Sequence, residues 1–428
     1  MDNTLPNKEQ KTPPVDGGLH AWLFLAACFV VEGTVWGFAS CFGVFQSHYR
    51  REPAFEGSMA IAAIGTCAMG MAYLLAPVVM ALLIAVPGLQ RWSSCLGFTV
   101  ISVALALSSF AKTVTHLILA QGIAYGAAGC LAYSPSILFM PEWFVKRKSL
   151  AFGIVWSGSG LTGIIFPIIL QHLLTQYGWQ TTLRISSVAI FLLAAPVMPF
   201  HKPRLPTSTT TTTTTTNNND NKKKLNLSFH RNKTYLIYQA GNTLQSLGFF
   251  LPQIFLPSYA ESLGATPLLS STTITVFNIA SIFGCIGIGY LADRSHVSNC
   301  LLLCTAGSVL STFILWGLAT HLAPLYIFAV AYGSTAGAFA ATWSGISNEV
   351  QHAHGTCDAS MVFSFLQTGR GVGNVVSGPL SEAILSAGLW EGSAFAAYGS
   401  SFGGLVVFTG LTGLLGGVGV FARFMKLI

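Results

Sequence analysis

Three consecutive cations separate two long apolar stretches in the first half of the chain. Lys146, Arg147 and Lys148 end one apolar run and precede the next within a few residues. Membrane proteins place such clusters in cytosolic loops, because the cations fix the direction in which the flanking helices insert. The glycines that follow let a neighbouring helix backbone approach closely in lipid. This stretch therefore predicts a cytosolic hairpin that leads into a tightly packed transmembrane helix.

The composition indicates a membrane protein along the whole chain. Of the 428 residues, 52% are hydrophobic and only 8% are charged, whereas soluble domains carry about 25% charged residues. The net charge of +7 is therefore interpreted as a signal of membrane topology and not of nucleic-acid binding. The nine cysteines show no metal-ligand spacing, so we interpret them as small buried hydrophobic residues. We expect no metal site and no cofactor.

Apolar runs of about twenty residues or more predict twelve membrane spans. The predicted spans lie near residues 19–46, 59–85, 93–111, 114–141, 149–174, 179–200, 234–260, 267–291, 299–320, 322–346, 358–386 and 394–424. Asp16 is expected to cap the first of these helices.

An even number of spans puts both termini on one side, and the cations concentrate in the tails and the even-numbered gaps. The positive-inside rule then places both termini in the cytosol.

A polar, low-complexity stretch divides the spans into six and six. Residues 207–216 are almost entirely threonine and are followed by asparagines and lysines. Such a composition cannot bury a core and is typical of a flexible linker. We therefore predict a disordered cytosolic tail at 1–18, a six-helix bundle at 19–200, a cytosolic linker at 201–233 and a second six-helix bundle at 234–428.

The two predicted bundles share short sequence echoes. Residues 124–126 in the fourth span, Ala-Tyr-Gly, return as residues 331–333 in the tenth span. The glycine-rich residues 157–160 in the fifth span are matched by residues 368–371 in the eleventh span. Both echoes are separated by just over two hundred residues. Parallel repeats of six helices around a midplane site are the plan of an alternating-access transporter.

Four stretches of this chain also match patterns of a known family. Residues 16–22 open with Asp-Gly-Gly and reach a tryptophan, and residues 143–153 contain the three cations. Both resemble signatures of the monocarboxylate transporter-like family, a branch of the major facilitator superfamily. Residues 289–294 resemble the superfamily's gating-loop motif, and residues 369–379 are similar to the eleventh span of fungal members. The resemblance implies a major facilitator fold, an all-α integral membrane protein with two six-helix bundles that transports small organic acids or related solutes.

One departure from the family pattern concerns proton coupling. Proton-coupled animal members carry a lysine in the first span and an Asp/Arg pair in the eighth. Here the first span has Glu32, and the eighth span carries no charge before Asp293. Fungal members transport vitamins, carboxylates and secondary metabolites. Uptake of an organic acid, with or without protons, and export of a secondary metabolite both stay open.

Arg370 and Glu32 are the ionisable groups expected nearest the middle of the membrane. At ~1.5 Å per residue, Arg370 lies about 18 Å along its span and Glu32 roughly 20 Å along the first span. Ionisable residues at such depth mark functional sites, and a planar guanidinium suits a carboxylate. We predict that Arg370 binds the negative group of the substrate and that Glu32, close to it, carries a proton or balances charge. The alternative is an ion pair that only holds the helices together.

Other polar or amphipathic side chains lie at plausible cavity depth, although each one singly is more often a packing residue. They are Trp36, Tyr125, Trp156, Tyr238, Asn242, Gln245, Asn278, Tyr332 and Asn374. Of these, we take as candidate substrate contacts Tyr125, Trp156, Asn242, Tyr332 and Asn374. No nucleophile–base pair and no phosphate-binding loop is recognisable, so the sequence does not indicate an enzyme.

Five loop residues are expected to act at the cytosolic gate. We predict that Asp293 and Arg294, together with Lys146, Arg147 and Lys148, lock it through charge and helix-end contacts. The expected partners are a small-molecule substrate and the lipid bilayer, with protons left open and no nucleic acid, and the protein is expected to be a monomer. The plasma membrane is the predicted location, with the vacuolar membrane as the alternative. A non-transporting receptor that retains the fold is the alternative of a different functional class.

Overall fold

The computed structural model describes residues 13–55, 58, 60–205, 227–355 and 357–425. Within these residues the regular secondary structure is entirely helical. Helices satisfy every backbone polar group internally, which is the condition for crossing the hydrocarbon core of a membrane.

Within the residue ranges given above, twelve helical spans follow one another and are numbered in that order. They are span 1, Leu19–Tyr49; span 2, Ile61–Leu74 with Ala76–Ala85; span 3, Ser93–Ser108; span 4, Val114–Trp143; span 5, 148–177; span 6, 179–197; span 7, Lys233–Ser262; span 8, Pro267–Ala292; span 9, Val297–Trp316; span 10, Leu322–Ala353; span 11, Ala359–Ser386; and span 12, Gly403–Gly416 with Val418–Phe424. The number agrees with the expected count of about twelve.

Length and apolarity alone identify fewer spans than these twelve. Six helices pass both criteria, or eight if each bent pair forms one span. The helix Lys148–Val197 holds two spans, because Gly178 interrupts it with a φ of 74°, in the left-handed region that favours glycine. Span 3 has only 16 residues. Spans 7 and 11 fail on apolarity, and they are the spans that carry the polar side chains of the site described below.

Two predicted boundaries differ clearly from the structure. Span 12 begins at Gly403 and not near residue 394, because Ala396–Gly399 forms a separate 3-10 turn. The Tyr398 hydroxyl donates to the Phe313 carbonyl at 2.8 Å and holds that turn against span 9. Span 10 continues beyond residue 346. Its last turns are helical but polar, so the apolar run ends before the helix does.

The first six and the last six spans pack in the same pattern. Span 1 lies against span 5 as span 7 lies against span 11, and span 2 contacts span 4 as span 8 contacts span 10. Spans 3 and 6 pair in the way that spans 9 and 12 pair. The halves meet through spans 2 and 11 and through spans 5 and 8. Shifting the chain by six spans maps each of these contacts onto its counterpart, as in a parallel repeat.

The apolar core joins the two halves at one end of the molecule. The larger cluster of buried side chains draws on both halves, whereas the smaller one, which includes Phe249 and Val406, belongs to the second half alone. The shared end contains residues 13–18, 143–150 and 292–298, and it is termed the cation-bearing end here. The halves are therefore packed together at this end and separated by a cavity further along.

Parts of the predicted tail and linker are ordered against the helices. His201, at the start of the predicted linker, is 3% exposed, and its two ring nitrogens lie 2.9 Å from the Ser94 and Ser136 hydroxyl oxygens. Burial lowers the pKa of His201 to about 4, so the imidazole is neutral at physiological pH. Arg204 donates to the Pro13 carbonyl at 2.8 Å. The predicted threonine run of the linker lies outside the described residues.

Candidate functional site

A cavity of about 260 Å³ lies between the two halves. Spans 1, 2, 4 and 5 line it from the first half, and spans 7, 8, 10 and 11 line it from the second. Among the sequence candidates, Glu32, Arg370 and Trp156 line this cavity, and so do Trp36 and Asn278. The structure therefore brings the two predicted ionisable groups to one site.

Arg370 is buried in the cavity wall without a carboxylate partner among the described residues. It is only 4% exposed, and its Nη1 donates to Gln245 Oε1 at 3.3 Å. The guanidinium carbon lies 3.9 Å from the centre of the Phe249 ring and 5.9 Å from the centre of the Trp343 ring. The guanidinium also interacts with the Tyr73 hydroxyl. Neutral groups thus hold the cation in place and leave its charge available for an anion.

Glu32 is the second ionisable group in the cavity wall. It is 3% exposed, its carboxyl group interacts with the indole of Trp36, and its Oε2 has no hydrogen-bond partner among the described residues. Glu32 and Arg370 both act electrostatically on Tyr73 and Cys285, although they form no ion pair with each other. A buried carboxyl group with a free oxygen is able to exchange a proton or accept a hydrogen bond.

Two predicted tyrosines and one asparagine do not line the cavity. The Tyr125 hydroxyl donates to the Val35 carbonyl at 2.7 Å inside the first half. Tyr332 is buried against Phe328, with 5.1 Å between the ring centres. Asn374 lies half-buried on span 11, outside the cavity lining. Tyr125 and Tyr332 are therefore packing residues in this structure.

Asn242 also lies outside the cavity but orients one of the lining residues. Its side chain donates to the Leu366 carbonyl at 2.7 Å and accepts the Nε1–H of Trp343 at 3.0 Å. Trp343 lines the cavity beside Arg370. Asn242 thus fixes an indole ring of the site without reaching the cavity.

Most of the aromatic residues that line the cavity, and two of its glutamines, were not among the candidates predicted from the sequence. The missed lining residues include Tyr73, Tyr133, Phe249, Phe250, Gln253, Trp343 and Gln367. Aromatic residues make up 12% of the chain, so their presence alone is no signal. Helical spacing could have found two of them, because Gln367 precedes Arg370 by three residues and Phe249 follows Gln245 by four.

Asp293 and Lys148 connect the two halves at the cation-bearing end. The Asp293 carboxylate accepts the backbone N–H groups of Ser149 and Leu150 at 2.8 and 2.9 Å. These groups belong to the first turn of span 5, whose dipole favours a negative charge. Lys148 Nζ donates to Asn348 Oδ1 of span 10 at 2.7 Å. An acid of the second half and a cation of the first half thus each make a contact across the boundary between the halves.

The other three predicted gate residues do not cross between the halves. Arg294 stacks on Tyr290 of its own helix, with 4.1 Å from its guanidinium carbon to the ring centre. The side chains of Lys146 and Arg147 are exposed. Their backbone, and not their charge, makes the contacts described next.

Asp16 does not cap span 1 as predicted. Gly18 occupies the N-cap position without a side-chain hydrogen bond. The Asp16 carboxylate instead accepts the backbone N–H groups of Val145, Lys146 and Arg147 at 2.9 to 3.0 Å. Burial raises the pKa of Asp16, but these hydrogen bonds outweigh burial and bring it below its usual value. The two family signatures therefore form one structural unit in space.

The cysteines are free thiols in this structure, and seven of the nine are buried. Throughout the described part of the chain, no group of three or more His, Cys, Asp or Glu side chains is arranged to hold a metal ion. Two of the thiols, Cys41 and Cys285, line the cavity.

Comparison with protein families decides which fold this is. The profile of the Major Facilitator Superfamily matches residues 25–356 and 240–421. The chain belongs to the major facilitator superfamily. The all-helical spans and the packing repeated after six spans are the architecture of this superfamily in the present chain.

Individual major facilitator proteins show the same relationship. The Agnestins efflux protein AgnL12 of Paecilomyces divaricatus is 29% identical over 427 residues, 97% of this chain and 90% of the relative. Monocarboxylate transporter 13 of Rattus norvegicus is 27% identical over 378 residues, 87% of this chain and 83% of the relative. The crystal structure of the major facilitator transporter FucP in the outward conformation superposes with a TM-score of 0.66 at 12% identity, covering 94% and 99% of the two chains.

These comparisons agree with the family that the signatures indicated. The relatives include monocarboxylate transporters, and the relatives and structural neighbours are transporters and not enzymes. This major facilitator protein is accordingly a multi-pass membrane protein and a secondary transporter. Its cavity between the halves is the candidate site for a small-molecule substrate.

Proposed function

We propose that the protein moves a small organic anion across the membrane by alternating access and that Arg370 binds the anion. The observation that carries this proposal is a buried guanidinium in the cavity between the halves, held by Gln245 and Phe249 and paired with no carboxylate in the described chain. An uncompensated charge in such a place is costly, so an anionic ligand gains by neutralising it. The planar fork of the guanidinium suits a carboxylate.

The cavity extends away from the cation-bearing end, and this supports an outward-facing state. Along spans 1, 5 and 7, the lining residues Ser40, Pro167 and Gln253 lie further from the cation-bearing end than the middle of the site. The cation-bearing end is closed by Asp293 and Lys148. With both termini in the cytosol, as the distribution of cations predicts, this closed end faces the cytosol. Residues 19–200 and 234–428 are then the two bundles that move against each other.

Export of a secondary metabolite is the second candidate. It is favoured by the similarity to the Agnestins efflux protein, which extends over 97% of this chain. Glu32 supports proton coupling in either direction, because the residue lines the cavity and one of its carboxyl oxygens has no hydrogen-bond partner in the described part of the chain. We further propose that the protein acts as a monomer in the plasma membrane, with the vacuolar membrane as the alternative.

Flux measurements on the purified chain in liposomes test the role of Arg370. The probes are a panel of aliphatic and aromatic monocarboxylates and their uncharged amides. We expect the protein to transport at least one of the acids and not to transport the corresponding amide. We expect Arg370→Ala to abolish the flux and Arg370→Lys to lower it by about tenfold, because a point charge replaces a fork.

Arg184→Ala is the matched control for this experiment. Arg184 donates to Ser109 at 3.0 Å at the surface of the first half and does not line the cavity. Its replacement should leave the flux of the acid unchanged. Flux of an acid that survives Arg370→Ala would refute the proposed anion site, and ligand binding without any flux would favour the receptor.

A further inference from the structure

Two residues of the cavity wall carry buried side-chain oxygens that have no hydrogen-bond partner among the described residues. Glu32 Oε2 and Gln367 Oε1 are both buried and accept no hydrogen bond, and both residues line the cavity. Gln367 is 2% exposed, and it lies one helical turn before Arg370. Buried polar atoms in native proteins nearly always find a partner. Two such oxygens in residues of one cavity wall favour a ligand that supplies donors to them when the two side chains turn towards the cavity.

Indole N–H groups of the cavity wall, by contrast, are committed to the protein. Trp343 donates to Asn242 at 3.0 Å, and Trp156 donates to the Tyr133 hydroxyl at 3.2 Å. Among the buried side chains of the wall, the cavity thus has one cation without a carboxylate partner and two acceptor oxygens without a donor in the described residues. A molecule that matches it presents an anionic group at one point and hydroxyl or N–H donors at others.

The walls around these groups are flat aromatic rings. Seven lining residues are aromatic, namely Trp36, Tyr73, Tyr133, Trp156, Phe249, Phe250 and Trp343. Trp36 and Tyr73 cover each other, with 4.3 Å between their ring centres, and the Arg370 guanidinium covers one face of Phe249 at 3.9 Å. Aromatic faces pack favourably against other planar rings. The cavity volume of about 260 Å³ lies just below the lower end of the usual range for small-molecule sites, roughly 300 Å³, which suits a compact ligand.

We propose that the substrate is a small aromatic acid that carries hydroxyl groups on its ring. This inference rests on the proposed function, since Arg370 binds the carboxylate. Gln367 Oε1 and Glu32 Oε2 accept hydrogen bonds from the ring hydroxyl groups, and the aromatic side chains of the wall pack on the ring. Hydroxylated rings are therefore preferred over unsubstituted rings of the same charge.

Isothermal titration calorimetry of the full chain in detergent compares four acids. They are benzoate, 3,4-dihydroxybenzoate, 3,4-dimethoxybenzoate and cyclohexanecarboxylate. We expect 3,4-dihydroxybenzoate to bind about tenfold more tightly than benzoate, because hydrogen bonds to buried acceptors are gained. The dimethoxy acid should lose this gain, since methylation removes the donors. Cyclohexanecarboxylate should bind more weakly than benzoate, since it has no planar ring.

Substitutions of two glutamines test which side chain causes the preference for the hydroxylated acid. Gln367→Leu removes the acceptor and should reduce the affinity ratio between 3,4-dihydroxybenzoate and benzoate to about twofold or less. Gln239 is the matched control, because its Oε1 also lacks a partner but it does not line the cavity. Gln239→Leu should keep the ratio.

The outcomes separate this inference from the proposed function. Equal binding of benzoate and 3,4-dihydroxybenzoate, with both lost in Arg370→Ala, would overturn the hydroxyl preference and leave the anion site standing. Binding of none of the acids would overturn both. If Gln367→Leu fails to fold, the comparison of the four acids on the unmodified chain decides alone.

Discussion

Glu32 and Arg370 line the same cavity but form no ion pair, and this determines how their substitutions combine. When two charged residues mainly neutralise each other, replacing one of them impairs the protein more than replacing both, because a single replacement leaves a buried charge unpaired. In this protein each group instead faces the cavity with its own neighbours, Trp36 for Glu32 and Gln245 for Arg370. We therefore expect Arg370→Ala to remain inactive when Glu32→Ala is added. Recovery of transport in the double variant would show that the pair is only structural.

Glu32→Gln tests the coupling role of the carboxyl group. The amide resembles the protonated acid and cannot release a proton, so we expect uptake to lose most of its dependence on pH while substrate affinity changes little. Uptake into liposomes over a series of pH values measures this. Glu142→Gln is the control, since Glu142 accepts the backbone N–H groups of Arg204 and Leu205 outside the cavity. An unchanged pH profile in Glu32→Gln would exclude coupling through this residue.

The sequence predicted the charged members of the site better than the neutral ones. Arg370 and Glu32 stood out because ionisable groups are rare in apolar spans. Tyr125 and Tyr332 were plausible by depth alone, yet both turn into the packing of their own half. The rotation of a helix about its axis decides which side chains face a cavity. In a span that is apolar on all sides, the sequence pattern does not reveal this rotation.

Spans 5 and 8 approach each other backbone to backbone along the seam between the halves. A Cβ atom added to Gly153 would overlap the carbonyl oxygen of Cys285, and one added to Gly289 would lie 2.5 Å from the Ser149 carbonyl oxygen. Glycine permits this approach because it has no side chain. The seam leads from the hydrogen bonds of Asp293 towards the cavity, so its spacing links the cation-bearing end to the cavity.

Gly153→Ala should push spans 5 and 8 apart. Overpacking of this kind costs about 1–3 kcal/mol, so we expect a melting temperature lower by several degrees and slower transport. Gly287→Ala is a matched control on span 8, because a Cβ at that position meets no atom within 4 Å. Thermal unfolding in detergent and liposome flux measure both variants. Equal effects of the two substitutions would contradict a role for the close seam.

The positions of the spans were easier to predict from the sequence than the residues at which the helices begin, bend and end. Long apolar runs located the spans, because lipid requires them. The kink at Gly178 and the separate turn at Ala396–Gly399 depend on contacts with other spans, which no local pattern records. The unexpected position of Asp16 has the same origin, since its partners at residues 145–147 lie far away in the sequence.

The molecule as a whole is closed at one end by a core that both halves share. Within that end, the Ser344 hydroxyl donates to the Ser149 hydroxyl at 2.8 Å across the boundary between the halves. Alternating access requires this contact to open and reform in each transport cycle. A covalent bond at the same place should therefore hold the molecule in a single state.

Replacing Ser149 and Ser344 together by cysteine provides such a bond. Side chains this close suit the short Cβ–Cβ distance of a disulfide. We expect oxidation to stop transport while leaving substrate binding intact, and reduction to restore transport. Each single cysteine variant, oxidised in the same way, serves as the control for the native thiols. Full transport by the cross-linked protein would show that the halves do not separate at this end.

The polar character of spans 7 and 11 has a consequence for the biosynthesis of the protein. An arginine at the centre of a helix adds about 3 kcal/mol to the cost of insertion from the translocon into lipid. Arg370 obtains its hydrogen bond from Gln245 and its stacking partner from Phe249, both on span 7. The ribosome makes span 7 well before span 11. We therefore expect span 7 to remain beside the translocon until span 11 is made, so that the arginine enters the membrane in contact with protein and not with lipid.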